Sequence, residues 1–161
     1  MEPITILILL LSTVLASFWA QIVDLFSKKI IPWLRGISPM LADLVADVLV
    51  FADRMVVPAR RTIKALWQYF QRTLLGCKME ITKTSATTAI GKTTTLIRDA
   101  EGKLMESVIT EELSWEDLPD AIRSEMTRQN AKTGVVDMKK TVEEKFRESA
   151  QKQGVALAMT N

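Results

Sequence analysis

The chain has 161 residues, a formal net charge of +2, one cysteine and no histidine. This length is short for two full-sized domains, and a lone cysteine, Cys77, excludes a disulfide within the chain. Without histidine the chain has neither Ser-His-Asp nor Cys-His catalysis, and no histidine-ligated metal. We therefore predict that the protein is not an enzyme, and that it has no catalytic residues, no metal and no cofactor.

The first segment is a long uncharged run. Residues 3–23 carry no charge, and as one helix they would reach roughly 31 Å, the thickness of a bilayer's hydrocarbon core. Trp19 stands where an interfacial aromatic residue belongs, and two lysines follow it. The sequence thus predicts a transmembrane helix with its flank over residues 1–31. A signal peptide cleaved before Ser17 is the alternative, disfavoured because no Lys or Arg precedes the apolar run.

The flanks of this run predict its orientation. No Lys or Arg lies on its N-terminal side, whereas several follow on its C-terminal side. Because basic flanks stay in the cytoplasm, we expect an inner or plasma membrane protein whose C-terminal domain is cytoplasmic.

Residues 36–57 form a second apolar segment, which carries charges on one side. At 100° per residue Asp43, Asp47 and Arg54 fall within a narrow stripe, and Ser38 can cap the start of the helix. We predict a second membrane or interfacial helix. In an oligomer the stripe would line a pore or polar seam while the apolar face meets lipid. A helix lying in the interface, or packed on a soluble domain, is the alternative.

Residues 58–76 have the pattern of a basic amphipathic linker helix. A basic helix with aromatic residues next to an anchor suits an anionic membrane surface, and Gly76 would be its C-cap. Packing on neighbouring elements is again the alternative. The predicted membrane-surface residues are Arg60, Arg61, Lys64 and Trp67.

Residues 78–161 change pattern and predict a small cytoplasmic α+β domain. Three β-prone stretches cover residues 78–84, 92–98 and 103–110, and the turn 99–102, with Asp first and Gly fourth, predicts a hairpin. Two helical patterns follow. The first begins after a capping box at Ser114, and the second covers residues 136–153. The apolar row of the second helix is Met138, Val142, Phe146 and Ala150.

Together these segments predict an α+β membrane protein. It would have one or two N-terminal transmembrane helices, an amphipathic linker helix, and a small cytoplasmic domain of a short antiparallel sheet plus two helices. About eighty residues make a marginal core, so we expect a homo-oligomer. Membrane lipids are expected partners, and duplex nucleic acid is not.

The segment 89–94 resembles the tail of a phosphate-binding P-loop. The first glycine of that motif would fall at Ala86, and three consecutive threonines prefer a strand to the required helix, so an NTPase is rejected. The hydroxyls and cations of the segment still suit an anion. The predicted ligand-binding residues are Lys92, Thr93, Thr94, Thr95 and Arg98; polar strands with solvated faces are the alternative.

The layout of the chain, with N-terminal membrane helices and a compact domain lacking catalytic residues, resembles the cyclic-oligoadenylate-responsive membrane effectors of type III CRISPR systems. That resemblance implies an antiviral effector that assembles around a cyclic nucleotide. The leading hypothesis is a non-enzymatic oligomeric effector or sensor whose cytoplasmic domain binds an anionic or cyclic nucleotide and controls the membrane helices. A structural or assembly subunit of a membrane complex is the alternative.

Overall fold

The computed structural model of the chain describes residues 6–9, 12–57 and 61–157. They form a five-stranded sheet and six α-helices. The strands are β1 (Ile6–Leu9), β2 (Leu74–Lys83), β3 (Thr88–Arg98), β4 (Leu104–Ser114) and β5 (Thr133–Asp137). The helices are α1 (Ser12–Leu25), α2 (Ile31–Ile37), α3 (Pro39–Arg54), α4 (Ile63–Thr73), α5 (Asp120–Arg128) and α6 (Met138–Lys152). A π-helical turn (Phe26–Ile30) joins α1 to α2, and a 3-10 turn (Trp115–Asp117) follows β4.

The strands lie in the order β1-β5-β2-β3-β4. β1 runs parallel to β5, and the other three pairs are antiparallel. The predicted hairpin of β3 and β4 is confirmed, with Arg98 paired to Leu104. In its turn the Gly102 N–H donates to the Asp99 carbonyl at 3.0 Å, and Gly102 has φ +84°, which glycine adopts without steric cost.

One face of the sheet is buried beneath the helices. Alternate residues along β2, β3 and β5, such as Ile81, Thr93 and Val136, are buried, whereas their neighbours on the opposite face are partly or fully exposed. This is the period-two pattern of a sheet with one covered face. The opposite face carries no layer from the described part of the chain, and Ile90 and Val108 are among its exposed side chains.

The prediction of transmembrane helices is wrong. Within the described residues no helix combines the length and the apolar character that a membrane crossing requires. The uncharged run is divided between β1 and α1, and the fourteen residues of α1 reach only about 21 Å. Phe18, Ile22 and Leu25 are buried at helical spacing, while Gln21 is exposed, so α1 is an amphipathic helix that packs on the core.

The second predicted membrane helix, α3, also packs on the core of its own chain. Its sixteen residues reach about 24 Å, and the Ser38 hydroxyl accepts the Leu41 N–H at 3.3 Å, which confirms the predicted cap. The apolar face that was expected to meet lipid includes Val45, Val48 and Phe51, all buried. Packing on the rest of the chain is therefore the arrangement observed, and the role of its polar stripe as a pore or polar seam stays a prediction.

The linker helix is shorter than predicted because the last residues of the predicted helix belong to a strand of the sheet. α4 ends at Thr73, and Leu74 pairs with Ile97 in β2. Gly76 is not a helix cap but a strand residue, next to a register irregularity that follows Leu74. Pairing with β3 satisfies the backbone groups there, so tertiary structure overrides the helical pattern.

The C-terminal helices also differ from prediction at their starts. β5 was not predicted; it lies between α5 and α6, and Asp137 then caps α6 by accepting the Lys140 N–H at 3.0 Å. At the predicted capping box the Ser114 side chain makes no cap hydrogen bond, and a 3-10 turn follows it. The predicted apolar row of α6 is confirmed. All four of its residues are buried: Met138, Val142, Phe146 and Ala150.

An aromatic cluster joins α3, α4 and α6. The Phe146 ring lies 4.8 Å from that of Phe51 and 5.4 Å from that of Trp67, measured between centroids. Beside the cluster the Ser149 hydroxyl donates to the Ala52 carbonyl at 3.1 Å. One hydrophobic core thus includes residues from all four segments into which the sequence was divided.

Candidate functional site

Three cavities of similar volume open at the surface of the described chain, and their charges distinguish them. The first, about 500 Å³, lies between α1 and the β3–β4 side of the sheet and includes Lys28, Lys29 and several acids. Asp24 pairs with Lys28 at 2.9 Å, and Glu111 lies 3.9 Å from Lys29. Both of its cations face carboxylates, and Glu112 and Asp117 add further negative charge, so this cavity does not suit an anionic ligand.

The second cavity, about 470 Å³, lies between the start of α3, the end of α4 and the β3–β4 turn. We call it the arginine cleft because Arg61, Arg72 and Arg98 line it. Its apolar wall consists of Met40, Leu41, Leu44 and the ring of Tyr69. Residues far apart in sequence thus bring three guanidinium groups to one opening.

Two of these arginines have no carboxylate partner in the described part of the chain. Arg61 is engaged, since its Nε lies 2.6 Å from a carboxylate oxygen of Asp47. The Arg72 guanidinium lies over the Tyr69 ring, 5.0 Å from its centroid, and forms no salt bridge with a described residue. The same holds for Arg98. The cleft therefore has unneutralised positive charge.

The carboxylate nearest in sequence to Arg98 is committed elsewhere. Asp99 lines the cleft, but one of its carboxylate oxygens accepts the N–H of Glu101 at 2.9 Å and that of Lys103 at 2.8 Å. These bonds hold the β3–β4 turn, and the turn in turn fixes the position of Arg98 at the end of β3. A ligand in the cleft would thus find a fixed hairpin on one side and a helix on the other.

The structure does not bring the five predicted ligand-binding residues together. They lie on β3, where successive side chains point to opposite faces. Thr93 and Thr95 are buried under the helices, whereas Lys92 is exposed on the open face with Thr94 beside it in that row. Of the five, Arg98 alone lines the arginine cleft.

The P-loop resemblance at residues 89–94 does not extend to structure. Gly91 and Lys92 pair with residues of both neighbouring strands in the middle of β3. A P-loop needs a loop that opens into a helix, with free backbone N–H groups for the phosphates. No such loop is present at this position.

The predicted polar stripe on α3 is divided among separate ion pairs. Asp43 accepts from Arg35 at 3.0 Å, and Asp47 accepts from Arg61 at 2.6 Å. Arg54 lies 3.8 Å from its neighbour Asp53, which also accepts the Trp19 indole N–H at 2.9 Å. These charges hold elements of one chain together.

The predicted membrane-surface residues have different positions. Arg60 lies outside the described residues, and Arg61 lines the arginine cleft. Lys64 lines another cavity on α4, described below. Trp67 is only 2% exposed and belongs to the aromatic cluster, so its ring does not reach the surface. A membrane-surface role for the three cations stays a prediction.

Neither a reactive thiol nor a metal cluster emerges from the described residues. Burial raises the pKa of the Cys77 thiol to about 12, against a weaker opposite effect of its 3.5 Å hydrogen bond with Thr95. The thiol is therefore protonated at neutral pH and is a poor nucleophile. No group of three or more metal-ligating side chains occurs in this part of the chain.

Comparison with protein-family models, curated proteins and solved structures gives no match to this chain. The site must therefore be interpreted from its own chemistry.

Sequence reasoning did not select Tyr69 or Arg72 as ligand residues. Arg72 counted only as one charge of a basic helix, and Tyr69 as an aromatic of the same helix. Their spacing of three residues on a helix, which places a guanidinium beside a ring, was the available signal.

Proposed function

We propose that the protein is a binding module that holds a phosphate-bearing ligand in the arginine cleft. The observation that carries this proposal is the pair of guanidinium groups, Arg72 and Arg98, that share the cleft without a carboxylate partner among the described residues. Guanidinium groups present planar, paired N–H donors that match the oxygens of a phosphate.

The wall of the cleft indicates what adjoins the phosphate. Met40 is 61% exposed and Tyr69 is 41% exposed, and both lie beside the arginines. Such apolar and aromatic surface suits a base or an acyl chain. The ligand class is thus an amphiphilic phosphate: a free nucleotide, as the sequence suggested, or the headgroup of an anionic lipid.

The described residues that line the cleft include no thiol, and their one carboxylate is engaged by the backbone of the β3–β4 turn. That carboxylate belongs to Asp99, and the buried thiol of Cys77 is not among the residues that line the cleft. Binding without chemical conversion is therefore the proposed activity. Control of membrane helices is not part of it, since the described residues include no spanning helix.

Replacing Arg98 with glutamine tests this proposal. Because a hydrogen bond to a charged group contributes about 1.5–3 kcal/mol, R98Q should weaken binding by about 10- to 150-fold. Isothermal titration of the full chain would use ATP and a cyclic dinucleotide. Vesicle flotation, with phosphatidylglycerol against phosphatidylcholine, would test the lipid source.

Lys103 provides the matched control, since it is exposed on the same hairpin but does not line the cleft. K103Q removes the same charge and should change affinity by less than about 3-fold. Binding in only one of the two assays identifies the source of the phosphate. If neither assay detects binding, or if K103Q and R98Q behave alike, the proposal fails.

Assembly is a second candidate function, favoured by the open side of the sheet. β4 is an eleven-residue edge strand, paired in the described chain with β3 alone, and its Leu104 and Val108 are 55% and 50% exposed. Long edge strands with exposed apolar side chains are sites of pairing. We propose that copies of the chain associate there.

Sedimentation velocity should show a dimer or larger species, and the substitution V108K should disrupt it. A monomer across all concentrations would contradict this association.

The resemblance to CRISPR membrane effectors, and with it an antiviral role, stays a prediction. The same applies to the membrane location. Both began from predicted spanning helices, which the described residues do not contain.

A further inference from the structure

The third cavity, about 570 Å³, lies between α4 and the segment that follows α6. We call it the tryptophan cavity; it is lined by Lys64, Trp67, Gln68, Gln71, Arg72 and two residues after α6, Ala156 and Leu157. No acid is among these residues, and two of them are cations. Arg72 lies between this cavity and the arginine cleft and lines both.

Two buried nitrogens beside this cavity have no hydrogen-bond partner in the described chain. They are Nε1 of Trp67 and Nε2 of Gln71. The two residues lie four positions apart on α4, which places their side chains next to each other on one helix face. A buried donor without an acceptor destabilises the folded chain, so two adjacent ones require an explanation.

We propose that the tryptophan cavity is a carboxylate-binding site. A carboxylate has two acceptor oxygens, one for the Trp67 indole N–H and one for the Gln71 amide. Both nitrogens are shielded from water in the ligand-free chain, so binding requires a small shift of the partly exposed Gln71 side chain that opens them to the cavity. Lys64 and Arg72 supply the counter-charge, and Ala156 and Leu157 contact an apolar tail. The ligand class is a small aliphatic carboxylic acid.

The tryptophan cavity and the arginine cleft differ in their hydrogen-bond donors: the cavity offers two buried neutral N–H groups, and the cleft offers guanidinium groups. Neutral N–H groups that are enclosed discriminate by shape and acceptor placement, whereas exposed guanidiniums favour multiply charged phosphates. The inference does not rest on the proposed function.

The indole N–H resonance of Trp67 is the direct readout, with hexanoate as the probe and hexan-1-ol, which has the same tail but no carboxylate, as the comparison. The chain has four tryptophans, and W67F assigns the signal. Hexanoate added to the full chain should move this resonance progressively, and hexan-1-ol at equal concentration should not. An unmoved resonance at tens of millimolar hexanoate would overturn the proposal.

The substitution Gln71→Leu provides a second test, which distinguishes a ligand-binding role of Gln71 from a purely structural one. Removing an unsatisfied buried amide should raise the Tm of the ligand-free chain by about 2–4 °C and reduce hexanoate affinity at least 10-fold. R98Q should leave hexanoate binding unchanged. A lowered Tm for Q71L together with unchanged hexanoate affinity would show that Gln71 only packs, and would contradict the site.

Discussion

Phe146→Ala should lower the free energy of unfolding by about 3–5 kcal/mol. The Phe146 side chain is fully buried, and its ring contacts Phe51 at 4.8 Å and Trp67 at 5.4 Å between centroids. Truncation removes the apolar burial and leaves a cavity where α3, α4 and α6 meet, because close-packed neighbours relax only partly. Urea denaturation of the full chain, followed by circular dichroism, measures the loss.

Val50→Ala is the matched control for this truncation. Val50 lies on α3, one position from Phe51, but is 41% exposed. Its truncation should cost less than about 1 kcal/mol, because most of the lost surface was already in contact with water. Equal losses for the two variants would mean that the aromatic cluster does not hold the three helices together.

Ile22→Asp should destabilise the chain by about 3–5 kcal/mol or prevent folding. Ile22 is fully buried on α1, where an aspartate would bring an unpaired charge into the core shared with the sheet. The effect should appear in buffer without detergent, as a lowered midpoint of cooperative unfolding. It should be seen by probes on the sheet as well as on the helices.

Gln21→Asp places the same new charge one residue earlier, on the exposed side of α1. It should change stability by about 0.5 kcal/mol or less. If α1 were an independent anchor, Ile22→Asp would leave the unfolding of the sheet region unchanged. That outcome would contradict the shared core.

Local signals predicted some elements well. The Asp-to-Gly turn predicted the β3–β4 hairpin, the four-residue apolar row predicted the buried side of α6, and Ser38 predicted the start of α3. Each signal acts within a few residues, so neighbouring elements do not alter it.

The N-terminal prediction failed because mean apolar character does not distinguish a helix that spans a membrane from one that buries a single face. Phe18, Ile22 and Leu25 repeat at helical spacing with Gln21 and Asp24 between them, the pattern of a helix that buries one side. β5 was missed for another reason. It is five residues long, and its position in the sheet depends on β1 and β2, which are distant in sequence.

The arginine cleft could not be predicted, because the chain brings its residues together only through tertiary structure. Arg61 precedes α4, Arg72 lies near the end of that helix, and Arg98 ends β3. The sequence pattern predicted Arg61 as a membrane-surface residue and Arg98 as part of an anion site on a strand. Alternation along β3 then separated Arg98 from the buried threonines with which it was grouped.

The most direct test of the arginine cleft is an NMR titration of the arginine Nε–H resonances with inorganic pyrophosphate. The full chain would be used, with R98Q to assign one signal, and Arg123 and Arg128 of α5 as internal references. The proposal predicts saturable shifts for Arg72 and Arg98 and none for the two references. Equal shifts at all arginines, or none at Arg72 and Arg98, would contradict an anion site in this cleft.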